Sequence, residues 1–195
     1  MKIFGITGGS GSGKTSVSAI FRELGAEIID TDIVAREVVR KGSKCLDELV
    51  ECFGAMILNP DGTLDRKKLA KEAFSDREKT AALNRITHKY IKEEVMQRIK
   101  NSTSDLIGID GAVIIGSNIE ELCEFIVYVT ADERTRIKRI KKRDMLTDEE
   151  AYERLGAQPD DDFYTRNSRY VIDNSGSLND LKVNAQKLYD KIKGE

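Results

Sequence analysis

The 195-residue chain has few of the residues that build disulfide scaffolds, zinc sites and histidine-dependent catalytic centres. Its three cysteines, Cys45, Cys52 and Cys123, are odd in number and lack Cys-x-x-Cys spacing, which argues against a disulfide framework and a zinc site and indicates a reducing cytosol. The single histidine, His88, has no partner series that would suggest a catalytic triad. We therefore expect Cys123 in the core and His88 in a structural or substrate-contact role.

The chain also has little proline, no long apolar run and no large excess of either charge. No apolar run approaches the length of a membrane span, and the first residues follow a strand pattern without a basic and apolar leader, so we expect a soluble intracellular protein. Two prolines, no low-complexity tract and no repeat leave no obvious linker. The net charge of −2 with both signs interspersed gives no global field that would favour nucleic acid or a membrane.

A complete phosphate-binding motif stands near the start of the chain. Residues 8–15 read Gly-Gly-Ser-Gly-Ser-Gly-Lys-Thr, which matches Gly-x-x-x-x-Gly-Lys-Thr. In such a loop the glycines let successive N–H groups face one concavity, Lys14 reaches the terminal phosphates, and the Thr15 hydroxyl binds Mg²⁺. A dinucleotide fingerprint fails, because Lys14 stands where its third glycine is required. The motif therefore predicts a nucleoside triphosphate ligand.

Strand and helix patterns alternate along the chain. The predicted strands cover residues 3–6, 26–29, 106–109, 125–129 and 170–172, with helical patterns between them. This alternation predicts an α/β fold whose parallel sheet is covered on both faces. We assign the core to about residues 1–33, 105–132 and 170–195, an inserted helical acceptor-binding subdomain to 34–104, and a helical lid to 133–169.

Acidic side chains follow two of the predicted strands. Asp30 and Asp32 come at the end of the second strand, where parallel sheets bind ligands, and strand alternation is expected to turn them the same way. From spacing alone, either aspartate is a candidate for the base that deprotonates an acceptor hydroxyl. The aspartate that is not the base can hold Mg²⁺. Arg36, one helical turn after Asp32, suits an acceptor phosphate. Asp110, after the third strand, is a further candidate to hold Mg²⁺.

A basic run between residues 134 and 143 allows three interpretations. Helical spacing places Arg136, Arg139 and Arg143 roughly on one face, where they could neutralise a triphosphate when a lid closes. The same run could be a solvated helix face. A nucleic-acid patch is the least favoured reading, because the run lacks aromatic neighbours and acidic residues follow it.

The order of these motifs resembles the dephospho-coenzyme A kinase family of phosphate-loop kinases over most of the chain. The phosphate loop is shared with many families, whereas Asp30-Thr31-Asp32 followed by Arg36 is more discriminating. Further matching segments lie at residues 61–70, 86–88, 138–139, 143–144, 154 with 158, and 171–176.

This resemblance implies ATP-dependent phosphorylation of the ribose 3′-hydroxyl of dephospho-coenzyme A, with a three-layer parallel-sheet P-loop kinase core, an inserted helical substrate subdomain and a helical lid. It implies that Asp32 is the general base and that Lys14 and Arg143 stabilise phosphoryl charge. The implied nucleotide-binding residues are Gly9, Ser10, Gly11, Ser12, Gly13, Lys14, Thr15, Ser16, Arg139, Asn174 and Gly176. The implied acceptor-binding residues are Thr7, Asp32, Arg36, Arg66 and His88, and the implied metal-binding residues are Thr15 and Asp110.

Three segments depart from the family pattern. Residues 112–116 lack the usual proline and acidic residue, Lys89 replaces a proline after His88, and acidic residues at 160–162 stand where basic lid residues are common. Like charge at 160–162 would oppose phosphate binding unless it points to solvent. A nucleoside or nucleotide kinase with another acceptor, and a non-catalytic nucleotide-binding paralogue, are therefore the alternatives. The sequence does not indicate an oligomeric state.

Overall fold

The computed structural model describes residues 1–194, and a five-stranded sheet organises them. The strands are β1 (Lys2–Thr7), β2 (Glu27–Asp30), β3 (Leu106–Asp110), β4 (Phe125–Thr130) and β5 (Tyr170–Asp173). Their order across the sheet is β2-β3-β1-β4-β5, so the first strand of the chain lies at the centre. All five strands that the apolar runs predicted are present.

The strands pair in parallel, and the three inner strands β1, β3 and β4 are mostly buried. β1 pairs in parallel with β3 and with β4, and β4 pairs in parallel with β5. Every residue of β3 is buried, as expected of a strand covered on both faces. These observations confirm the predicted α/β fold with a parallel sheet.

An α-helix follows each strand except β3, which is followed by a short 3₁₀ turn before β4. The helices are α1 (Lys14–Glu23), α2 (Thr31–Glu37), α3 (Lys44–Phe53), α4 (Arg66–Ala73), α5 (Arg77–Asn101), α6 (Glu133–Asp144), α7 (Asp148–Gly156), α8 (Asp161–Arg166) and α9 (Leu178–Gly194). Short 3₁₀ turns lie at Ala55–Ile57 and Glu120–Leu122. Among residues 1–194, no helix has both the length and the apolar character that a membrane span requires.

The chain divides into two compact units. The sheet unit comprises Met1–Ile29 and Ser102–Glu195, and the helical unit comprises Asp30–Asn101. In the sheet unit, α1 and α9 pack together, and an aromatic cluster lies against β1. Phe4 is fully buried there, with its ring edge-on to Phe21 and stacked on Phe125.

The helical unit has its own apolar core. Residues of α3, α4 and α5 build it, with Leu49, Ile57, Leu69 and Ile86 among the buried members. A turn lies at residues 59–62, where the Gly62 N–H donates to the Asn59 carbonyl and the Thr63 N–H donates to the Asp61 carboxylate. The long excursion between β2 and β3 thus folds as a helical bundle around its own apolar centre.

We expect Phe4→Ala to lower the free energy of unfolding by about 3–5 kcal/mol, because it removes a fully buried ring from the central strand. Phe74→Ala is the matched control, since the Phe74 side chain is 65% exposed, and its effect should stay within about 0.5 kcal/mol. Urea unfolding followed by circular dichroism measures both values. Equal effects of the two substitutions would contradict this assignment of the core.

Candidate active site

The loop between β1 and α1 has the backbone shape that the phosphate-binding motif predicts. Gly11 and Gly13 have φ angles of 77° and 87°, in the left-handed region that favours glycine. α1 begins at Lys14, directly after Gly13, so the unpaired N–H groups of its first turn adjoin the loop. The loop therefore ends at a helix N-terminus, where phosphate groups bind readily.

Three side chains from distant segments bind the loop's carbonyl oxygens. Arg136 Nε donates to the Ser10 carbonyl at 3.1 Å, and Asn174 Nδ2 donates to the Ser12 carbonyl at 2.7 Å. Arg139 Nη1 donates to the carbonyls of Gly11 and Ser12 at 3.2 and 3.3 Å. In a trans peptide, the C=O and the following N–H point in opposite directions. Holding the carbonyls from one side therefore turns the N–H groups towards the other.

A glutamine reinforces the same loop. Gln158 Nε2 donates to Ser10 Oγ at 2.9 Å, and the Ser10 N–H donates to Gln158 Oε1 at 2.9 Å. Ser10 is thus bound through its hydroxyl, its N–H and its carbonyl by residues of α6 and of the segment after α7.

Two glycines of the loop are required by close approach. A Cβ atom at Gly9 would lie 2.2 Å from Arg136 Nη2, and one at Gly13 would lie 2.0 Å from Asn174 Nδ2. Only glycine allows these side chains to reach the main chain without displacement.

Lys14 and Asp110 form an ion pair at the start of α1. Lys14 Nζ donates to Asp110 Oδ1, and Ser18 Oγ donates to Asp110 Oδ2 at 2.6 Å. The Asp110 side chain is only 5% exposed, so a buried carboxylate at the end of β3 holds the motif lysine beside the loop.

The three acidic residues at 160–162 have different surroundings. Asp160 caps α8 by accepting from the Phe163 N–H at 2.8 Å, and Asp162 forms an exposed pair with Arg166. Asp161 accepts from Arg136 Nη1 at 3.0 Å. Negative charge at Asp161 is therefore paired with an arginine that binds the phosphate loop, which the sequence did not predict.

The three arginines predicted to share one face of α6 differ in their contacts. Arg136 and Arg139 contact the loop, whereas Arg143 has a side chain that is 58% exposed and pairs with Asp144 at 2.8 Å. Asp144 also accepts from Arg154 at 2.8 Å. The hydrogen bond from Arg143 lowers the pKa of the Asp144 carboxyl, so this surface pair is ionised at neutral pH.

We expected strand alternation to turn the side chains of Asp30 and Asp32 the same way, and this reasoning is wrong. The chain leaves the strand at Asp30, and α2 begins at Thr31, so Asp32 is helical and strand alternation does not apply. Asp30 Oδ1 accepts from the N–H groups of Asp32 and Ile33 at 2.8 and 3.1 Å, which makes it the helix cap. Asp32 and Arg36 both lie on α2 one turn apart, as predicted, and both are exposed.

The other predicted acceptor residues of the helical unit lie on α4 and α5. Arg66 is the first residue of α4, whose N-cap is Asp65, and it is exposed. His88 is exposed on α5, and the helix continues through Lys89 because lysine, unlike proline, supplies the backbone N–H that the helix needs. Lys89 pairs with Glu48 of α3 at 3.0 Å.

The remaining predicted residues differ in accessibility. Thr15 and Ser16 are exposed in the first turn of α1, and Gly176 is exposed after β5. Thr7 is fully buried, and its hydroxyl donates to the Ala112 carbonyl at 3.3 Å. Ser12 Oγ is buried and has no hydrogen-bond partner within residues 1–194, an arrangement that is uncommon without a ligand nearby.

The cysteines do not form a reactive centre. Burial raises the pKa of the Cys45 thiol to about 11 and that of the Cys123 thiol to about 12. Both are therefore protonated at neutral pH. Cys45 is buried, whereas Cys123, which was expected in the core, is only partly buried.

Several functional contacts were not predicted from the sequence. Ser18 carries a detectable signal, since it lies four residues after Lys14 on one helix face. The spacing of Arg136 and Gln158 in the sequence does not indicate that they bind the phosphate loop. The sequence indicates only that the charge of residues 160–162, taken as a group, would oppose phosphates unless it points to solvent. The pairing of Asp161 with Arg136 joins residues 25 positions apart in the chain.

A parallel sheet that delivers a glycine-rich loop from its central strand to a helix N-terminus, beside a basic helix, defines a P-loop kinase. A sequence profile described as dephospho-CoA kinase matches residues 2–180. The chain belongs to the dephospho-CoA kinase family, which confirms the resemblance seen in its motifs.

Individual relatives agree over nearly the whole chain. It is 38% identical over 191 residues to a dephospho-CoA kinase of Corynebacterium glutamicum, with 96% of each chain covered. A crystal structure of a Thermus thermophilus protein has a TM-score of 0.84 at 29% identity, covering 98% of this chain and 97% of that one. Dephospho-CoA kinase from Campylobacter jejuni shares the fold with a TM-score of 0.73 at 24% identity, covering 100% and 99%.

We expect Asn174→Leu to weaken nucleotide binding about tenfold, because this near-isosteric apolar side chain removes the 2.7 Å donor to the Ser12 carbonyl. Asn179→Leu, in the exposed first turn of α9, is the matched control. Titration calorimetry with ATP compares the two dissociation constants. Equal affinities of the two variants would show that the Asn174 contact does not shape the loop.

Proposed function

We propose that this enzyme transfers the γ-phosphoryl group of ATP to the ribose 3′-hydroxyl of dephospho-coenzyme A, the last step of coenzyme A biosynthesis. The proposal rests on a phosphate loop whose carbonyls accept hydrogen bonds from Arg136 and Asn174, in a chain that matches the dephospho-CoA kinase family over residues 2–180. The reaction takes place in the cytoplasm and needs no nucleic acid or membrane partner. Free cysteines at all three positions support that compartment.

ATP occupies the concave side of the phosphate loop in this proposal. Residues 9–16 surround the β- and γ-phosphates, with the N–H groups that do not already donate to Gln158, Gly9 or Gly13 facing them. Lys14 stabilises the charge that develops on the transferred group. Arg139 and Asn174 position the loop, and the Asn174 to Gly176 segment lies near the adenine. Arg143 is exposed and turns from Asp144 towards the phosphates when the lid closes.

The donor set of the loop suits Mg²⁺. The exposed Thr15 hydroxyl is a hard oxygen ligand, and the Asp110 carboxylate at the end of β3, whose two oxygens accept from Lys14 and Ser18, would act through bound water. No group of three acidic, histidine or cysteine side chains within residues 1–194 forms a dedicated metal cage. Such a cage is not needed, because Mg²⁺ in phosphoryl-transfer sites keeps water and phosphate oxygens as ligands. The bound ion would neutralise part of the charge on the β- and γ-phosphates.

The helical unit supplies the acceptor side. Asp32 removes the proton from the 3′-hydroxyl as the oxygen attacks phosphorus, while Arg36, Arg66 and His88 bind the acceptor. Thr7 is fully buried in the sheet unit with its hydroxyl bound to the Ala112 carbonyl, so its side chain is not part of this set. The exposure of Asp32, Arg36 and Arg66 leaves their charged groups available to a substrate.

Release of ADP tests the activity directly. With ATP and Mg²⁺, we expect turnover with dephospho-coenzyme A and little with nucleosides or nucleoside monophosphates. Preferred turnover of a nucleoside or nucleotide would assign a different acceptor. ATP binding without turnover of any acceptor would identify a non-catalytic nucleotide-binding protein.

Asp32→Asn should reduce kcat at least about hundredfold and change the dissociation constant for ATP less than about twofold, because it removes the base and leaves the phosphate loop intact. Asp47→Asn, an exposed carboxylate on α3 of the same unit, is the control and should keep normal kcat. Steady-state kinetics and ATP titration measure the two quantities. Near-normal turnover of Asp32→Asn would exclude Asp32 as the base.

A further inference from the structure

Asp161 lies at the centre of a polar network in the sheet unit. Its Oδ1 accepts from Tyr128 Oη at 2.5 Å and from Arg136 Nη1 at 3.0 Å, and its Oδ2 accepts from Thr130 Oγ1 at 3.3 Å. One carboxylate of α8 therefore connects β4 with α6.

The arginine in this network is buried and touches the phosphate loop. The Arg136 side chain is 7% exposed, whereas that of Asp161 is 54% exposed. A buried guanidinium without a counter-charge would be unfavourable, so it would tend to move towards solvent. Because Arg136 Nε donates to the Ser10 carbonyl, such a movement would release one of the loop's supports.

Tyr128 fixes the carboxylate in place. Its ring is buried and stacks on Tyr164, with centroids 4.8 Å apart and planes 9° apart. Burial raises the pKa of the Tyr128 phenol, and its hydrogen bond to Asp161 raises it further, so the phenol remains a donor at neutral pH. Asp161 is thereby held from β4 while it binds Arg136.

We propose that Asp161 is a positioning residue for nucleotide binding: it holds Arg136 against Ser10 and so keeps the phosphate loop in its binding shape before the nucleotide arrives. This inference rests on the proposed function only in taking ATP as the nucleotide. It assigns a favourable role to an acidic lid residue whose charge alone would repel phosphates.

The test compares three variants of neighbouring residues. D161N removes the carboxylate charge and should raise both the dissociation constant and the KM for ATP about fivefold, while kcat changes less than about twofold. D161E keeps the charge and should bind ATP within about twofold of the unchanged protein. D162N makes the same chemical change at an exposed residue that pairs with Arg166 in the same helix, and it should have no effect. Loss of folded protein alone would lower apparent kcat without raising KM.

The same substitution made in the R136Q protein shows whether Asp161 acts through Arg136. In R136Q, D161N should weaken ATP binding no further, because the arginine that it positions is absent. Thermal unfolding of each variant confirms folding, and the comparison of D161N, D161E and D162N stands even if R136Q does not fold.

Four outcomes would overturn the proposal: unchanged or tighter ATP binding by D161N, D161E as weak as D161N, an equal effect of D162N, or the full D161N effect in R136Q. Tighter binding by D161N would mean that the carboxylate competes with phosphate for the arginine. The binding measurement contains no acceptor, so failure to phosphorylate dephospho-coenzyme A would refute the proposed function and leave this test unaffected.

Discussion

The hydrogen bonds that hold the carbonyl oxygens of the phosphate loop are the constraint on which the site depends. Arg136, Arg139 and Asn174 bind the carbonyls of residues 10–12, and the planar peptide then directs the adjoining N–H groups the opposite way. A loop with several glycines has many other backbone conformations, so it must be restrained from outside. α6 and the segment after β5 therefore hold the phosphate loop in shape.

Acidic residues beside a polyanion site are acceptable when each is paired with a cation. Asp110 pairs with Lys14 at the end of β3, and Asp161 pairs with Arg136 in the lid. Both pairs place the cation next to the loop and its counter-charge behind it. The pairing fixes long, flexible side chains in position, which reduces the entropy that would be lost on binding a phosphate. The acidic substitutions in the lid thus differ from the family pattern without removing positive charge from the loop.

The two compact units divide the proposed chemistry. The sheet unit carries the nucleotide loop, and the residues assigned to the acceptor lie largely on α2, α4 and α5 of the helical unit. Asp30 illustrates the distinction between structural and chemical acids, because its carboxylate caps α2 while the neighbouring Asp32 is exposed. An exposed carboxylate keeps its hydration and can exchange it for a substrate hydroxyl, whereas a capping carboxylate is already satisfied.

The sequence by itself determined the parallel sheet, the phosphate loop and the family, because apolar runs and a contiguous motif are local signals. It also placed Asp32 and Arg36 on one helix. Strand alternation failed for Asp30, since the strand ends there and a side-chain cap begins the helix. Only the tertiary structure decided that Asp161 binds Arg136 and that Arg136 binds Ser10, residues up to 126 positions apart. Such contacts depend on where the folded main chain brings side chains together, and periodicity and composition carry no record of that proximity.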